Sequence, residues 1–185
     1  MINVNDFKTG MTITYEGNLY QVLEFQHVKP GKGAAIVKTK LKNLRTGSII
    51  EQSFNAGIKV EQGHVEKIKM QYLYESSGAY TFMNMNTYEQ VELQASQIAN
   101  ESKFLKEGLE VLIFFYEGEM LGLELPEKID YKITETEPAI KGNTATNATK
   151  DAIIETGLLV KVPLFIEQGE EIIVSTKDGK YVSRK

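Results

Sequence analysis

The segment Asn18-Leu19-Tyr20-Gln21-Val22-Leu23-Glu24-Phe25-Gln26-His27-Val28, then Lys29-Pro30-Gly31-Lys32-Gly33-Ala34-Ala35, then Ile36-Val37-Lys38-Thr39-Lys40-Leu41-Lys42, reads as a β-hairpin. Its arms are rich in β-branched, aromatic and leucine side chains, and a Pro/Gly cluster separates them. Pro30 fixes φ near about −65° and Gly31 and Gly33 admit positive φ, so the chain can reverse with Lys32 as the long side chain at the apex. In the second arm Lys38, Lys40 and Lys42 alternate with Val37, Thr39 and Leu41. The period of two places the three ammonium groups on one face and turns the others inward. From Gln26 to Arg45 the chain carries six cations, Lys29, Lys32, Lys38, Lys40, Lys42 and Arg45, and no acid. That face is a candidate for phosphate contact, although lysines also serve to blunt an exposed strand.

The same grammar runs outward along the 185 residues. Short runs such as Val65 to Glu75, Ala79 to Met85, Leu109 to Tyr116, Leu158 to Val162 and Glu171 to Thr176 are separated by Gly, Asn or Ser. Almost no 3.6-residue periodicity appears, so an all-β chain is expected, with one short helix around Ala95 to Leu105. Gly63-His64 and Leu125-Pro126-Glu127 are natural breaks, which predicts three small β-barrel domains over residues 1–64, 65–127 and 128–185. The last two have the strand density of five-stranded oligonucleotide-binding (OB) barrels. These segments carry formal charges of +3, −7 and 0, so any nucleic-acid contact is expected to begin in the first. Lys141 to Asp151 is small and polar and is expected to be an exposed loop.

Several function classes are excluded. Without cysteine there is no disulfide framework, thiolate metal site or cysteine nucleophile. Met1 to Gly10 has no apolar signal stretch, and the longest strictly apolar run, Val111 to Tyr116, is far too short to span a bilayer. A cytoplasmic protein without membrane contact is expected. The glycine-rich loops that cradle nucleotides end in Gly-Lys-Ser/Thr and open a helix, whereas Gly33-Ala34-Ala35 opens a strand. His27 and His64 lack metal-ligand spacing, no Gly-x-Ser-x-Gly or His-Glu-x-x-His occurs, and no cofactor or metal is expected. Ile68, Met70, Tyr72 and Tyr74 on one strand face, and Tyr80 with Phe82 on another, could stack bases. The surrounding acidity favours packing inward.

Lys29-Pro30-Gly31-Lys32-Gly33 near the start of an all-β chain of this length closely resembles the tip of the bacterial elongation factor P family. Lys150-Asp151-Ala152, Gly157, Val160, Val162-Pro163, Ile166 and Gly169 are similar to that family's C-terminal signature, each spacing in place. Tyr88-Glu89-Gln90, Gly142-Asn143-Thr144-Ala145-Thr146-Asn147 and the ending Thr176 to Arg184 are similar too, so the resemblance spans essentially the whole chain. Asn143 stands where relatives usually have aspartate, and Asp151 where many have proline.

The resemblance implies an SH3-like (KOW-type) barrel followed by two OB-fold barrels, L-shaped overall. It implies a monomeric, non-enzymatic translation factor whose partners are ribosomal RNA, ribosomal proteins and the P-site peptidyl-transfer RNA. Lys32 becomes the tip residue, flanked by Lys29, Pro30, Gly31 and Gly33 and lengthened by a lysine-modifying enzyme, and it relieves stalling at consecutive prolines. Lys38, Lys40, Lys42 and Arg45 become RNA contacts, and residues 142–147 the loop near the E-site codon. Two alternatives stay open from the residues: a general single-stranded RNA-binding OB-type protein without a ribosomal site, and a protein-only adaptor using the acidic middle.

Overall fold

Runs of Val, Ile, Tyr and Phe, broken by turn residues, form three sheets that follow one another along the chain in a computed structural model describing residues 1–139 and 148–185. The first contains β1 (Ile2–Asn3), β2 (Thr12–Tyr15), β3 (Asn18–Val28), β4 (Ile36–Asn43), β5 (Ile49–Asn55) and β6 (Lys59–Gln62), in the order β1-β6-β2-β3-β4-β5. The second contains β7 (Glu66–Ser76), β8 (Ala79–Met83), β9 (Gln90–Gln94), β10 (Glu110–Tyr116) and β11 (Glu119–Glu124), ordered β11-β10-β7-β8-β9. The third contains β12 (Lys128–Thr136), β13 (Thr149–Ile154), β14 (Leu159–Pro163), β15 (Glu171–Ser175) and β16 (Tyr181–Arg184), ordered β14-β13-β12-β15-β16. In space the chain forms two compact units, residues 1–68 with 113–122 and residues 69–112 with 123–185.

The second and third sheets share one topology that no sequence repeat announces. Each has five strands, with its first and longest strand in the centre, its second and third on one side and its fourth and fifth on the other. Each central strand also shifts register partway, β7 between Tyr72 and Tyr74 and β12 between Ile133 and Glu135. An extra residue bends the strand, as closing a small barrel requires. The bulge also explains the fate of the aromatic stripe. Met70, Tyr72 and Phe82 are buried, but beyond the bulge Tyr74 is 53% exposed.

The helix expected around Ala95 to Leu105 is instead a run of turns ending in a single 3-10 turn, Glu101–Phe104. The run opens with turn bonds from the Gln97 N–H to the Gln94 carbonyl at 2.9 Å and from the Ile98 N–H to the Ala95 carbonyl at 3.3 Å, while Gln97 Oε1 accepts from the Gln94 N–H at 2.9 Å and Ser102 Oγ donates to the Ala99 carbonyl at 3.2 Å. Buried Ile98, Phe104 and Leu105 anchor the run. A second 3-10 turn, Val4–Asp6, had no sequence signal beyond Asn3, whose side chain accepts from the Asn5 N–H.

The first sheet encloses Val4, Phe7, Ile13, Tyr20, Val22, Val37, Leu41, Phe54 and Val60, with Phe54 edge-on to Phe7 and Tyr15 at 5.9 and 5.1 Å. The third encloses Ile129, Tyr131, Ile133, Ile154, Val160, Val162, Ile166, Ile172 and Val174, and Phe104 joins that core from outside the sheet. Tyr131 is fully buried and donates its hydroxyl to the Phe104 carbonyl, while the Lys106 ammonium lies 5.3 Å above its ring.

Tyr131→Phe would leave that carbonyl without its donor and is expected to destabilise the fold by about 1–3 kcal/mol in urea unfolding. Burial, then the Glu155 and Asp130 carboxylates, push the Tyr131 phenol above its ordinary range. The unfolded phenol therefore ionises first, from about pH 10, and the stability this group contributes below that pH drains away as pH rises further. Tyr131→Phe should flatten that alkaline loss; an unchanged slope would assign it elsewhere.

Candidate nucleic-acid interface

The hairpin quoted above forms with Val28 opposite Ile36 and a seven-residue connection, Lys29 to Ala35, between its arms. Lys29, Pro30, Gly31, Lys32 and Gly33 are all exposed. The loop is wider than a tight turn and uses the left-handed region at Gly33 alone of its two glycines, at φ +113°. A Cβ there would meet nothing, so its requirement is conformational rather than steric. Below the loop the arms are held by unbroken pairing from Val28 opposite Ile36 to Glu24 opposite Lys40, beyond which the register shifts, and by an edge-to-face contact of Phe25 with His27 at 5.7 Å. That contact gives exposed His27 a packing role.

On β4 the predicted two faces are present. Val37, Thr39, Leu41 and Asn43 are buried, while Lys38 is exposed and Lys40 and Lys42 are half-buried on the opposite side. Buried Thr39 is satisfied by donating to the Gln52 carbonyl at 2.7 Å. Asn43 ends the strand: its Oδ1 accepts from the Arg45 and Thr46 N–H groups at 2.9 and 3.1 Å. That cap sets the turn leading into β5.

Register shows what surrounds each lysine. Lys38 lies between Gln26 and Ser53, Lys42 between Gln21 and Ile49, and Lys40 between Glu24 and Glu51. Cross-strand neighbours have Cβ atoms about 4.5–5.5 Å apart, so Lys40 sits in a row of acid, base and acid. Glu24, Gln26, Lys38, Lys40, Glu51 and Ser53 border a shallow concavity of about 790 Å³ on this face. The two carboxylates were missed by sequence reading, because only pairing brings residues 24 and 51 beside residue 40.

Arg45 is placed differently from the lysines. It lies beyond the end of β4, and its Nε and a terminal guanidinium nitrogen both approach Glu119 Oε2 at 3.4 Å. The structure thus brings Lys38, Lys40 and Lys42 together and engages Arg45 with an acid. Of the loop expected over Lys141 to Asp151, the part that holds Gly142 to Asn147 lies outside the described residues, whereas Thr149 to Asp151 belong to β13 and Lys150 is buried, its ammonium donating to the Glu137 carbonyl, so the expectation of an exposed loop is corrected there. Among the described residues no cluster of His, Asp or Glu could hold a metal ion.

Three family models match the chain in sequence order: an elongation factor P KOW-like domain over residues 3–60, an elongation factor P OB domain over 65–123, and an elongation factor P C-terminal domain over 129–184. The chain belongs to the elongation factor P family. Its members are translation elongation factors rather than enzymes, and the ribosome is the partner that such a factor implies. A solved eukaryotic translation initiation factor 5A from Methanococcus jannaschii is 24% identical, with a TM-score of 0.53 over 67% of this chain and 93% of that one. A translation initiation factor eif-5a family protein from Naegleria fowleri is 14% identical, with a TM-score of 0.47 over 67% and 96% of the two chains. The archaeal likeness is one of fold. No helix of this elongation factor P chain, among the described residues, is long and apolar enough to cross a membrane.

The two faces of β4 predict opposite responses to truncation. Leu41→Ala should cost about 2–5 kcal/mol in urea unfolding, because it empties part of the first core. Lys38→Ala, Lys40→Ala and Lys42→Ala should each cost under about 1 kcal/mol. A lysine variant as damaging as Leu41→Ala would mean that the basic face is structural.

Proposed function

We propose that this elongation factor P binds the ribosome beside the P-site peptidyl-transfer RNA and speeds peptide-bond formation at consecutive prolines by positioning the acceptor end with Lys32. The observation that carries the reading is the exposed Lys32 at the end of a paired-strand arm, within the same small sheet that presents Lys38, Lys40 and Lys42 together. The lysines supply phosphate contacts that fix orientation without reading sequence. Arg45 adds a further cation where its Glu119 partner can be exchanged for phosphate. A cytoplasmic monomer, three domains over 1–64, 65–127 and 128–185, and a loop 142–147 near the E-site codon belong to the same reading and rest on the family resemblance.

Proline is an awkward substrate because its ring fixes φ and restricts alignment of the attacking amine with the peptidyl ester. Misalignment is an entropic barrier, and a factor can lower it by positioning alone, with no acid, base or nucleophile of its own. Charge-assisted hydrogen bonds from the tip to RNA oxygens contribute about 1.5–3 kcal/mol each, enough for a tenfold rate change from one or two. An ammonium on a four-carbon stem gains reach if a modifying enzyme extends it.

Two measurements test this. In a purified translation system, the factor should accelerate synthesis of a Pro-Pro-Pro peptide and not of a proline-free one, and Lys32→Ala should remove the effect while shifting stability by less than about 0.5 kcal/mol. Equal acceleration of both peptides, or full activity without the Lys32 side chain, would favour generic RNA binding. Protein purified from its native host should carry added mass on the peptide containing Lys32, with Lys29 unmodified as the internal comparison. An unaltered mass under conditions where the factor is needed would refute the extension.

A further inference from the structure

Among the described residues, four other than glycine have a left-handed backbone: Glu16, Ser77, Tyr88 and Glu117. Three are explained by their turns. Glu16-Gly17, Ser77-Gly78 and Glu117-Gly118 are two-residue hairpin loops in which both residues have positive φ, as the turn that matches strand twist requires. Tyr88, at φ +61°, is not followed by glycine and belongs to another loop.

That loop occurs three times, and the copies serve as controls. In Asn43 to Ser48, the first residue's N–H donates to the Ser48 carbonyl at 2.8 Å and the Gly47 N–H returns to the Asn43 carbonyl at 2.8 Å. In Ser175 to Lys180 the same pair of bonds runs at 2.9 and 2.8 Å, with Gly179 in the fifth place. In Asn84 to Glu89 the bonds are 2.9 and 2.7 Å, and the fifth place is Tyr88. Gly47 and Gly179 have φ of +77° and +71°. One backbone design thus takes glycine twice and a large aromatic once. Even the cap is repeated, since Asn84 Oδ1 accepts from the Asn86 and Thr87 N–H groups as Asn43 Oδ1 does at its own turn.

Tyr88 lies largely outside the packing of the chain. It is 71% exposed, and among the described residues its ring and hydroxyl make no hydrogen bond, ion pair or ring contact. Met85, in the same loop, is 46% exposed. A bulky residue held where the backbone favours glycine, on a braced loop and pointing at solvent, places a rigid aromatic for something outside the chain. Charge identifies the class. Residues 70 to 102 contain no Lys, Arg or His, while Glu89 adjoins Tyr88 and Glu75, Glu92 and Glu101 share the stretch. Phosphate is repelled there, whereas a Lys or Arg side chain can lie on the ring while carboxylates neutralise it.

We infer that Tyr88, with Met85 beside it, is an anchor for a lysine- or arginine-rich protein surface of the ribosome. The inference rests on the ribosomal reading above. In this role the ring fills a contact and the loop's bracing keeps the ordering cost of binding small.

The test compares wild type, Tyr88→Gly and Tyr88→Phe for binding to purified ribosomes, together with a protein carrying the photo-crosslinking residue p-benzoylphenylalanine in place of Tyr88. Tyr88→Gly should unfold at the same or higher urea concentration than wild type, because glycine suits the backbone, yet bind ribosomes about tenfold more weakly. Tyr88→Phe keeps the ring and should bind within about twofold of wild type. The crosslinked product should survive ribonuclease and contain peptides of a basic ribosomal protein. Unchanged affinity in Tyr88→Gly with wild type bound overturns the anchor alone, and a lowered unfolding midpoint would make the ring a structural element instead. A ribonuclease-sensitive product would replace the protein contact by stacking on a base. Wild type that fails to bind ribosomes removes the ribosomal reading and the anchor together.

Discussion

The antiparallel pairing of β3 with β4 is the constraint on which the candidate interface depends. Because a strand alternates its side chains strictly, one register decides at once which residues of Ile36 to Asn43 seal the first core and which face water. A slip of one residue would bring Lys38, Lys40 and Lys42 into the core and turn Val37 and Leu41 outward. Burial of Val37 and Leu41 therefore fixes the basic face, and the same pairing carries the chain straight to the exposed loop that holds Lys32. Hydrophobic packing is what aims the cations.

Satisfied polar groups extend that control to the ends of the strand. Asn43 is buried and polar, and it stays there because its side chain closes the turn to β5 through two backbone N–H groups. Thr39 is the other polar residue on the inward face, and its bond to the Gln52 carbonyl ties β4 to β5. Among the described residues Lys38, Lys40 and Lys42 on the outward face make no such bond, which leaves their ammonium groups open to a partner. Arg45 shows the contrast: a cation one turn beyond the strand is already engaged by Glu119.

Much of this was legible in the sequence where a local pattern decides the outcome. The Asn18 to Val28 strand has the boundaries that its side-chain chemistry suggested, and the breaks at Gly63-His64 and Pro126 fall between sheets. The expected helix at Ala95 to Leu105 is replaced by turns that open with i→i−3 backbone bonds and end in a single 3-10 turn, a choice of backbone bonding that a propensity average does not resolve. Tyr74 leaves the face of Met70 and Tyr72 because of a bulge, and a bulge is a property of two strands rather than of one. For the same reason the shared topology of the second and third sheets has no signature that a single reading of the chain detects.

The basic face itself was legible only in part, and the missing part changes its electrostatics. Counting charge along residues 26 to 45 makes the three strand lysines equivalent, since no acid lies among them. Pairing makes them unequal by importing Glu24 from one neighbour and Glu51 from the other to the sides of Lys40. Two carboxylates within a Debye length, about 8–10 Å at ordinary salt, outweigh the one ammonium between them. The uncompensated charge of this face then lies at Lys38 and Lys42, whose neighbours are Gln26, Ser53, Gln21 and Ile49. Attraction that grows with every uncompensated cation holds a protein on any RNA. On the proposed ribosomal reading, a row that compensates its central lysine would keep the sheet basic enough to meet phosphate and would leave selectivity to shape and to the tip.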